Sequence, residues 1–337
     1  MQKNRDLFAD FIKGLLIISV VFGHIIQHIK YSDGAFWDDY IFKSMWMFNM
    51  PLFVGISGYF TFFSLRRKTA ATFLKERILY LFIPLFIWSM IMGCVGLIPS
   101  WESIADKLFY MYATLISSYW FIWAILISSV IIGILKLLSI DNKYIVALAG
   151  ILSMLIPSPF TNAVLAFSKD MVCFFILGYI LASFDLNKIY TFCKKYILAI
   201  VVLTAICFFF WDKKYLIYFN PADIFHLDIG IFRLMVAIVS STCFLVVSRM
   251  IYDYIPKGVI VNKIAEFGQE TLGIYLVHAV FLFAYYTYFK IQETSTTPAI
   301  LYLIPAILAI WVICLLIKQI EKSSILAFLL LGKKKKK

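Results

Sequence analysis

Charge is scarce in this chain. Only 15% of its 337 residues are Asp, Glu, Lys or Arg, against 63% hydrophobic residues, and the mean hydropathy is +0.90. That balance excludes a water-soluble globular protein, in which polar residues must cover the apolar ones. A long soluble stretch is lacking as well. Length alone would allow two domains, but the chain reads as one membrane domain over 1–320 followed by a short basic tail over 321–337. Cysteine supplies no scaffold. Cys94, Cys173, Cys193, Cys207, Cys243 and Cys314 form no CxxC, and most lie in apolar runs. They read as free thiols acting as small hydrophobes, neither a disulfide framework nor a metal site. The first apolar run follows Lys3 and Arg5, as in a signal peptide, but no small-residue cleavage site follows it. It reads as a retained helix. No internal repeat is evident.

What is present is a series of apolar runs of membrane-crossing length. Ten spans are expected, at about 9–29, 44–63, 78–98, 119–137, 144–156, 163–183, 196–211, 229–248, 266–289 and 298–317, because about 20 apolar residues cross a bilayer as a helix. The fold class is therefore an all-α polytopic bundle. Turn-forming residues separate the runs, as in "SDGAFWDD", "NPAD" and "QETSTTP". The net charge of +12 would suggest a nucleic-acid partner in a soluble protein; in this chain it is an orientation signal. With the N-terminus inside, 23 of the 31 Lys and Arg fall on the cytoplasmic side and eight outside. That bias places both termini in the cytoplasm. The closing "GKKKKK" reads as a solvated tail, with anchoring to anionic headgroups as the alternative.

Against this apolar background the ionisable groups stand out. The stretch "DFIKGLLIISVVFGHIIQHIK" opens with Asp10 and Lys13 and carries His24 and His28 towards its outer end. Asp10 and His24 are 14 residues apart, about 21 Å along a helix, so they cannot meet within it. His24 and His28 share a face. Intramembrane ionisable groups usually face a bundle interior or a watery cavity, which makes His24 a candidate functional group; a packed histidine bonded to a carbonyl is the rival. An i,i+4 histidine pair is also a start on a metal site, but no third ligand is evident. In "EFGQETLGIYLVHAVF", His278 lies about mid-bilayer, with Tyr275 three residues before it on nearly the same face. In "MFNMPLFVGISGYF", Gly55, Ser57 and Gly58 read as a close-packing surface. "GISG" lacks the spacing and strand–turn–helix setting of a nucleophile elbow. Arg77 beside Lys75 at the cytoplasmic start of the third span suits a phosphate by a two-pronged contact, or is ordinary inside charge. Lys169, Asp170 and Arg233 lie in outer halves of spans, where such charges pair with each other or line a cavity.

Five pieces in order, "DFIKGLLIISVVFGH", "MPLFVGISGYF", "YWFIWAILIS", "FFILGYIL" and "TLGIYLVH", resemble the acyltransferase-3 family of integral membrane acyltransferases along almost the whole chain. The resemblance implies transfer of an acyl group, usually acetyl, from cytoplasmic acyl-CoA to a sugar hydroxyl of a surface polysaccharide or glycolipid. It implies a multi-pass protein of the plasma (bacterial inner) membrane. It maps the family's key catalytic histidine to His24, the opening carboxylate to Asp10, and the closing motif to Tyr275 and His278. The family's R-x-x-R pair maps to Arg77 and Tyr80, so the second arginine is absent and Lys75 or Arg66, Arg67 and Lys68 stand nearby. In this picture CoA docks at a basic cytoplasmic mouth around Arg77. Its arm threads towards His24, which acts as the base, or as an acyl-carrying relay. The acceptor enters from outside past Trp37, Asp38 and Asp39, and neither metal nor nucleic acid takes part. A glycan transporter or flippase, with His24, Lys169 and Arg233 along its path, is the alternative.

Overall fold

The computed structural model describes residues 6–97, 103–117, 119–140, 142–155, 163–212, 227–289 and 294–333. It is helical, with no strand among the described residues. Side chains start several helices as their sequences dictate. Asp6 accepts from the N–H groups of Phe8 and Ala9 at 3.0 and 3.1 Å to open α1, Leu7–Ile25. Asp39 caps α2, Tyr40–Arg67, in the same way. Thr69 opens α3, Ala70–Arg77. A π-helical turn, Ile78–Phe82, then leads into α4, Ile83–Leu97. The remaining helices are α5 (Ile104–Ser117), α6 (Trp120–Leu137), α7 (Lys143–Leu155), α8 (Ala163–Leu181), α9 (Leu186–Lys195), α10 (Ile197–Phe210), α11 (Leu227–Tyr254), α12 (Val259–Gln269), α13 (Thr271–Tyr288), α14 (Leu303–Ile320) and α15 (Ser324–Leu331).

Among the described residues, six helical stretches are long and apolar enough to cross a membrane: Leu7–Lys30, Tyr40–Arg67, Ala70–Val95, Trp120–Leu137, Asp228–Tyr254 and Ala299–Ile320. Two bent pairs, Ser168–Leu181 with Leu186–Lys195 and Val259–Gln269 with Thr271–Tyr285, raise the number to eight if each is one span. The expected spans at 144–156 and 196–211 correspond to shorter apolar helices. The expected span at 266–289 is not one straight helix. It begins inside α12 and bends by 74° at Glu270. The Glu270 carboxylate is paired with Lys333, so the break holds a charged group where a partner can reach it. Beyond α14, the chain forms α15, docked on α4: Trp88 Nε1 donates to the Leu330 carbonyl at 2.8 Å. Gly332 ends α15 in the left-handed region at φ 60°, against the Tyr80 backbone. The lysines at 334–337, with most of the basic run, and the "NPAD" turn lie outside the described residues.

The core sits where α1 is enclosed by α2, α12, α13 and α14. Two contacts set its geometry, and both depend on glycine. Gly14 of α1 faces the Ile264 carbonyl of α12, and Gly268 of α12 faces the Asp10 carbonyl of α1. Gly55 and Gly178 face each other across α2 and α8, while Gly58 meets the Phe175 carbonyl. At Gly14, Gly58, Gly178 and Gly268 an added Cβ would overlap backbone atoms of the facing helix, whereas at Gly55 it would only touch the Phe174 carbonyl. In lipid, where apolar burial gives helices little reason to associate, such close backbone approach is a main source of packing. Pro51 sits inside α2 beside this contact; it removes one helical hydrogen bond, a loss that neighbouring helices offset in membranes.

Gly178→Val is expected to destabilise the bundle by about 3 kcal/mol through overpacking, read as a lower thermal midpoint of the detergent-solubilised protein. Gly258→Ala, at a position with nothing within 4 Å of an added Cβ, is expected to leave the midpoint unchanged.

Candidate active site

His24 and His278 come from opposite ends of the sequence and meet. Their ring centroids are 5.5 Å apart, and the His28 ring stacks on His24 at 5.9 Å. Helix α1 carries His24 in its last turn and widens directly after it into a π-helical turn, Ile26–Lys30, that contains His28. Such turns concentrate at functional sites. His278 is buried, with Nδ1 2.9 Å from the Ile274 carbonyl one turn earlier, so its ring is held in place by its own helix. Tyr275 lies 5.5 Å from His278, and its ring packs between Tyr119 and Phe121. The His24 ring thus lies against both of the other histidine rings. Among the described residues no group of three or more His, Cys, Asp or Glu is arranged to hold a metal ion.

Next to His24, between α1 and α2, is a small cavity of about 20 Å³, lined by Ser19, Gly23, His24, Asn49 and neighbouring apolar side chains. That is room for one water-sized group. Its outer wall is aromatic: Phe42 and Trp46 line it, and Trp37 packs edge-on against both, at 5.3 and 5.4 Å. Trp37 thus covers the cavity wall without lining the cavity. Asp39, expected at the acceptor's entrance, is spent on the cap of α2 and on the Tyr31 hydroxyl, which donates to it at 2.9 Å. Burial and that hydrogen bond push the Tyr31 phenol up to about 12.

Asp10 is brought nowhere near His24. It is buried at the far end of α1, paired with Lys13 at 2.7 Å, and its backbone faces Gly268. Arg77 donates through Nη2 to Thr61 Oγ1 at 3.1 Å and lies over the Phe73 ring. Thr61 in turn donates to the Ser57 carbonyl, and Ser57 Oγ to the Phe53 carbonyl. Ser57 is therefore a backbone-bonded packing residue, as its sequence context implies. Lys75 is exposed. Near the same end of α2, Arg66, Lys136 and Lys143 line an open hollow of about 400 Å³ with Phe62 and Tyr179. The sequence singled out Arg66 but not the two lysines, which stand on other helices.

Lys169, Asp170 and Arg233, expected to pair or to line a cavity, pair through Asp170. Asp170 accepts a hydrogen bond from Arg233 at 3.0 Å and forms an ion pair with Lys169 at 3.1 Å, with Asp170 and Arg233 both buried. Asn49 and Ser19 were not legible as site residues. The available signal was a polar amide in the middle of an apolar span. Tyr119, in the left-handed region at φ 53° at the head of α6, was also missed; its hydroxyl donates to the Leu276 carbonyl at 3.0 Å and braces the helix that carries His278.

Asp170→Asn is expected to cost about 3–5 kcal/mol, because it leaves the Arg233 guanidinium buried without a counter-charge. Adding Arg233→Met should recover part of that loss. A double-mutant cycle of thermal or denaturant unfolding measures both effects.

Comparison with known proteins places the chain in a family. A family model described as "Acyltransferase domain" matches residues 6–318. The nodulation protein NolL of Mesorhizobium japonicum is 30% identical over 290 residues, covering 82% of this chain and 77% of that protein. NolL of Sinorhizobium fredii is 27% identical over 290 residues, covering 82% and 78%. No solved structure matches the chain. With a family match over nearly its whole length and helices long and apolar enough to cross a bilayer, the chain is an integral membrane acyltransferase and belongs to the acyltransferase-3 family.

Proposed function

We propose that this acyltransferase moves an acetyl group from cytoplasmic acetyl-CoA to a sugar hydroxyl of a surface polysaccharide or glycolipid, in the plasma (bacterial inner) membrane. The observation that carries this reading is the meeting of His24 and His278, from α1 and α13, beside a cavity inside the bundle. A hydroxyl is a poor nucleophile, and a positioned base must take its proton as it attacks. His24 is that base. The hydroxyl oxygen bonds to the thioester carbon while its proton passes to His24. The tetrahedral intermediate then collapses, the C–S bond breaks, and the CoA sulfur leaves with the electron pair and recovers the proton. His278, held by the Ile274 carbonyl, packs against the His24 ring and fixes its orientation. Asp10, far along α1, organises the cytoplasmic end and takes no part in proton transfer.

The donor's phosphates belong at the basic end of α2, where Arg77 is anchored on Thr61 and Arg66, Lys136 and Lys143 line the open hollow. From Thr61 to Asn49 along α2 is twelve residues, roughly 18 Å at 1.5 Å per residue. A donor with its charged end at one site and its thioester at the other must thread a long, thin arm between them. This geometry supports CoA over a compact donor. We read the ten apolar segments as ten crossings with both termini in the cytoplasm. The two short helices and two bent pairs are then complete crossings, and the excess of Lys and Arg falls inside.

The test uses membranes expressing the protein, radiolabelled acetyl-CoA and the host's surface glycan, at matched protein levels. Label is expected to enter the glycan as an alkali-labile ester in wild type. His24→Ala is expected to abolish it, and His278→Ala to reduce it about 100-fold or more. Equal transfer by wild type and His24→Ala would remove His24 from the chemistry. No transfer by either, with altered glycan export, would replace the reading with transport.

A further inference from the structure

The cavity between α1 and α2 holds two polar atoms that nothing pairs. Asn49 Oδ1 and Ser19 Oγ are both buried without a hydrogen-bond partner, and both residues line the cavity with His24. Asn49 is only 5% exposed. Burying an amide or hydroxyl unpaired costs about 1–3 kcal/mol per group, and most buried polar atoms in folded proteins are paired. Two such costs in one small cavity, next to the candidate base, call for a ligand that repays both.

The chemistry of the atoms defines that ligand. An amide oxygen only accepts hydrogen bonds, so Asn49 Oδ1 requires a donor. A hydroxyl both donates and accepts, so Ser19 Oγ can supply the reverse contact. The complementary group is another hydroxyl, and about 20 Å³ is room for one. His24 belongs to the same wall, one turn beyond Val20 and next to Gly23, and helical side chains lean back over the turn before them. A hydroxyl seated in the cavity therefore holds a neighbouring hydroxyl of the same molecule close to the His24 ring.

We infer that this cavity recognises a non-reacting hydroxyl of the acceptor sugar, with Asn49 accepting from it and Ser19 donating to it, so that the adjacent hydroxyl is presented to His24. The inference rests on the proposed O-acyl transfer and deepens it. The acceptor is a polyol in which two hydroxyls lie side by side, and Asn49 and Ser19 set specificity without entering the chemistry. A site built to pair a substrate hydroxyl rejects an analogue that lacks it far more strongly than an apolar pocket discriminates by size.

The experiment is steady-state acetyl transfer by the full chain in membranes, varying host glycan and radiolabelled acetyl-CoA separately, for Asn49→Leu, Ser19→Ala and His24→Ala. Asn49→Leu is expected to raise the KM for glycan about tenfold or more through the lost hydrogen bond, with the KM for acetyl-CoA unchanged. Ser19→Ala should show a smaller shift of the same kind. Since both substitutions remove an unpaired buried polar atom, their thermal midpoints should equal or exceed that of wild type. A purely structural role would lower the midpoint instead. An unmoved glycan KM in both variants, or a parallel rise in both KM values with a lower midpoint, would overturn the inference. Ser19→Ala, which deletes a single oxygen, carries the test if Asn49→Leu does not fold. Loss of transfer in His24→Ala together with unmoved glycan KM in the other two would sink this assignment alone, whereas full transfer by His24→Ala would sink the underlying site.

Discussion

A polar side chain inside a bilayer has no water to turn to, so it must find its partner within the bundle or remain unpaired at a cost. The structure follows from how each such group meets that demand. Asp170 answers Arg233 and Lys169. Arg77 is anchored on Thr61, which is anchored on the Ser57 carbonyl. The His278 ring takes the carbonyl one turn back, and the Tyr119 hydroxyl takes that of Leu276. Asn49 and Ser19, which leave atoms unpaired, line the cavity beside His24. Paired groups hold the scaffold together, and the pair of unpaired atoms at Asn49 and Ser19 is what the proposed acceptor site rests on.

Holding these groups in register is the task of the small residues. Gly14 and Gly268 lock α1 to α12, and Gly55, Gly58 and Gly178 lock α2 to α8. Those contacts fix the two helices that form the cavity walls, each against a neighbour on its outer side. The site therefore rests on rigid elements, although its ligand-facing surface is small. A catalytic or binding constellation must stay within about 0.5 Å of productive geometry, and contacts between backbones give less freedom than contacts between long side chains.

Much of the fold was legible because lipid simplifies the code. Apolar runs must become helices, and charged residues must gather near the ends or pair inside. His24 stood out in its run, and "GISG" could be read as a packing surface. The bend at Glu270 was not legible, because the polar stretch "EFGQET" reads equally well as the interfacial end of one straight span; the turn is decided by Gly268 packing on α1 and by Lys333 reaching Glu270 from the far end of the chain. The ordered helix at Ser324–Leu331 was hidden for a similar reason. Its eight residues are too few to cross a membrane, and they gain their place only by docking on Trp88.

By itself, then, the sequence determined that this is a helical membrane protein with an ionisable histidine where ordinary anchors have none, since hydropathy and charge act locally along a chain. Only the tertiary structure decided that His24 meets His278, that Asp10 does not meet His24, that Asp170 is shared by two cations, and that Asn49 and Ser19 face the same space. Those are relations between helices. They depend on crossing angle and rotation, which are set by the side chains at each contact and leave no periodic trace in the sequence.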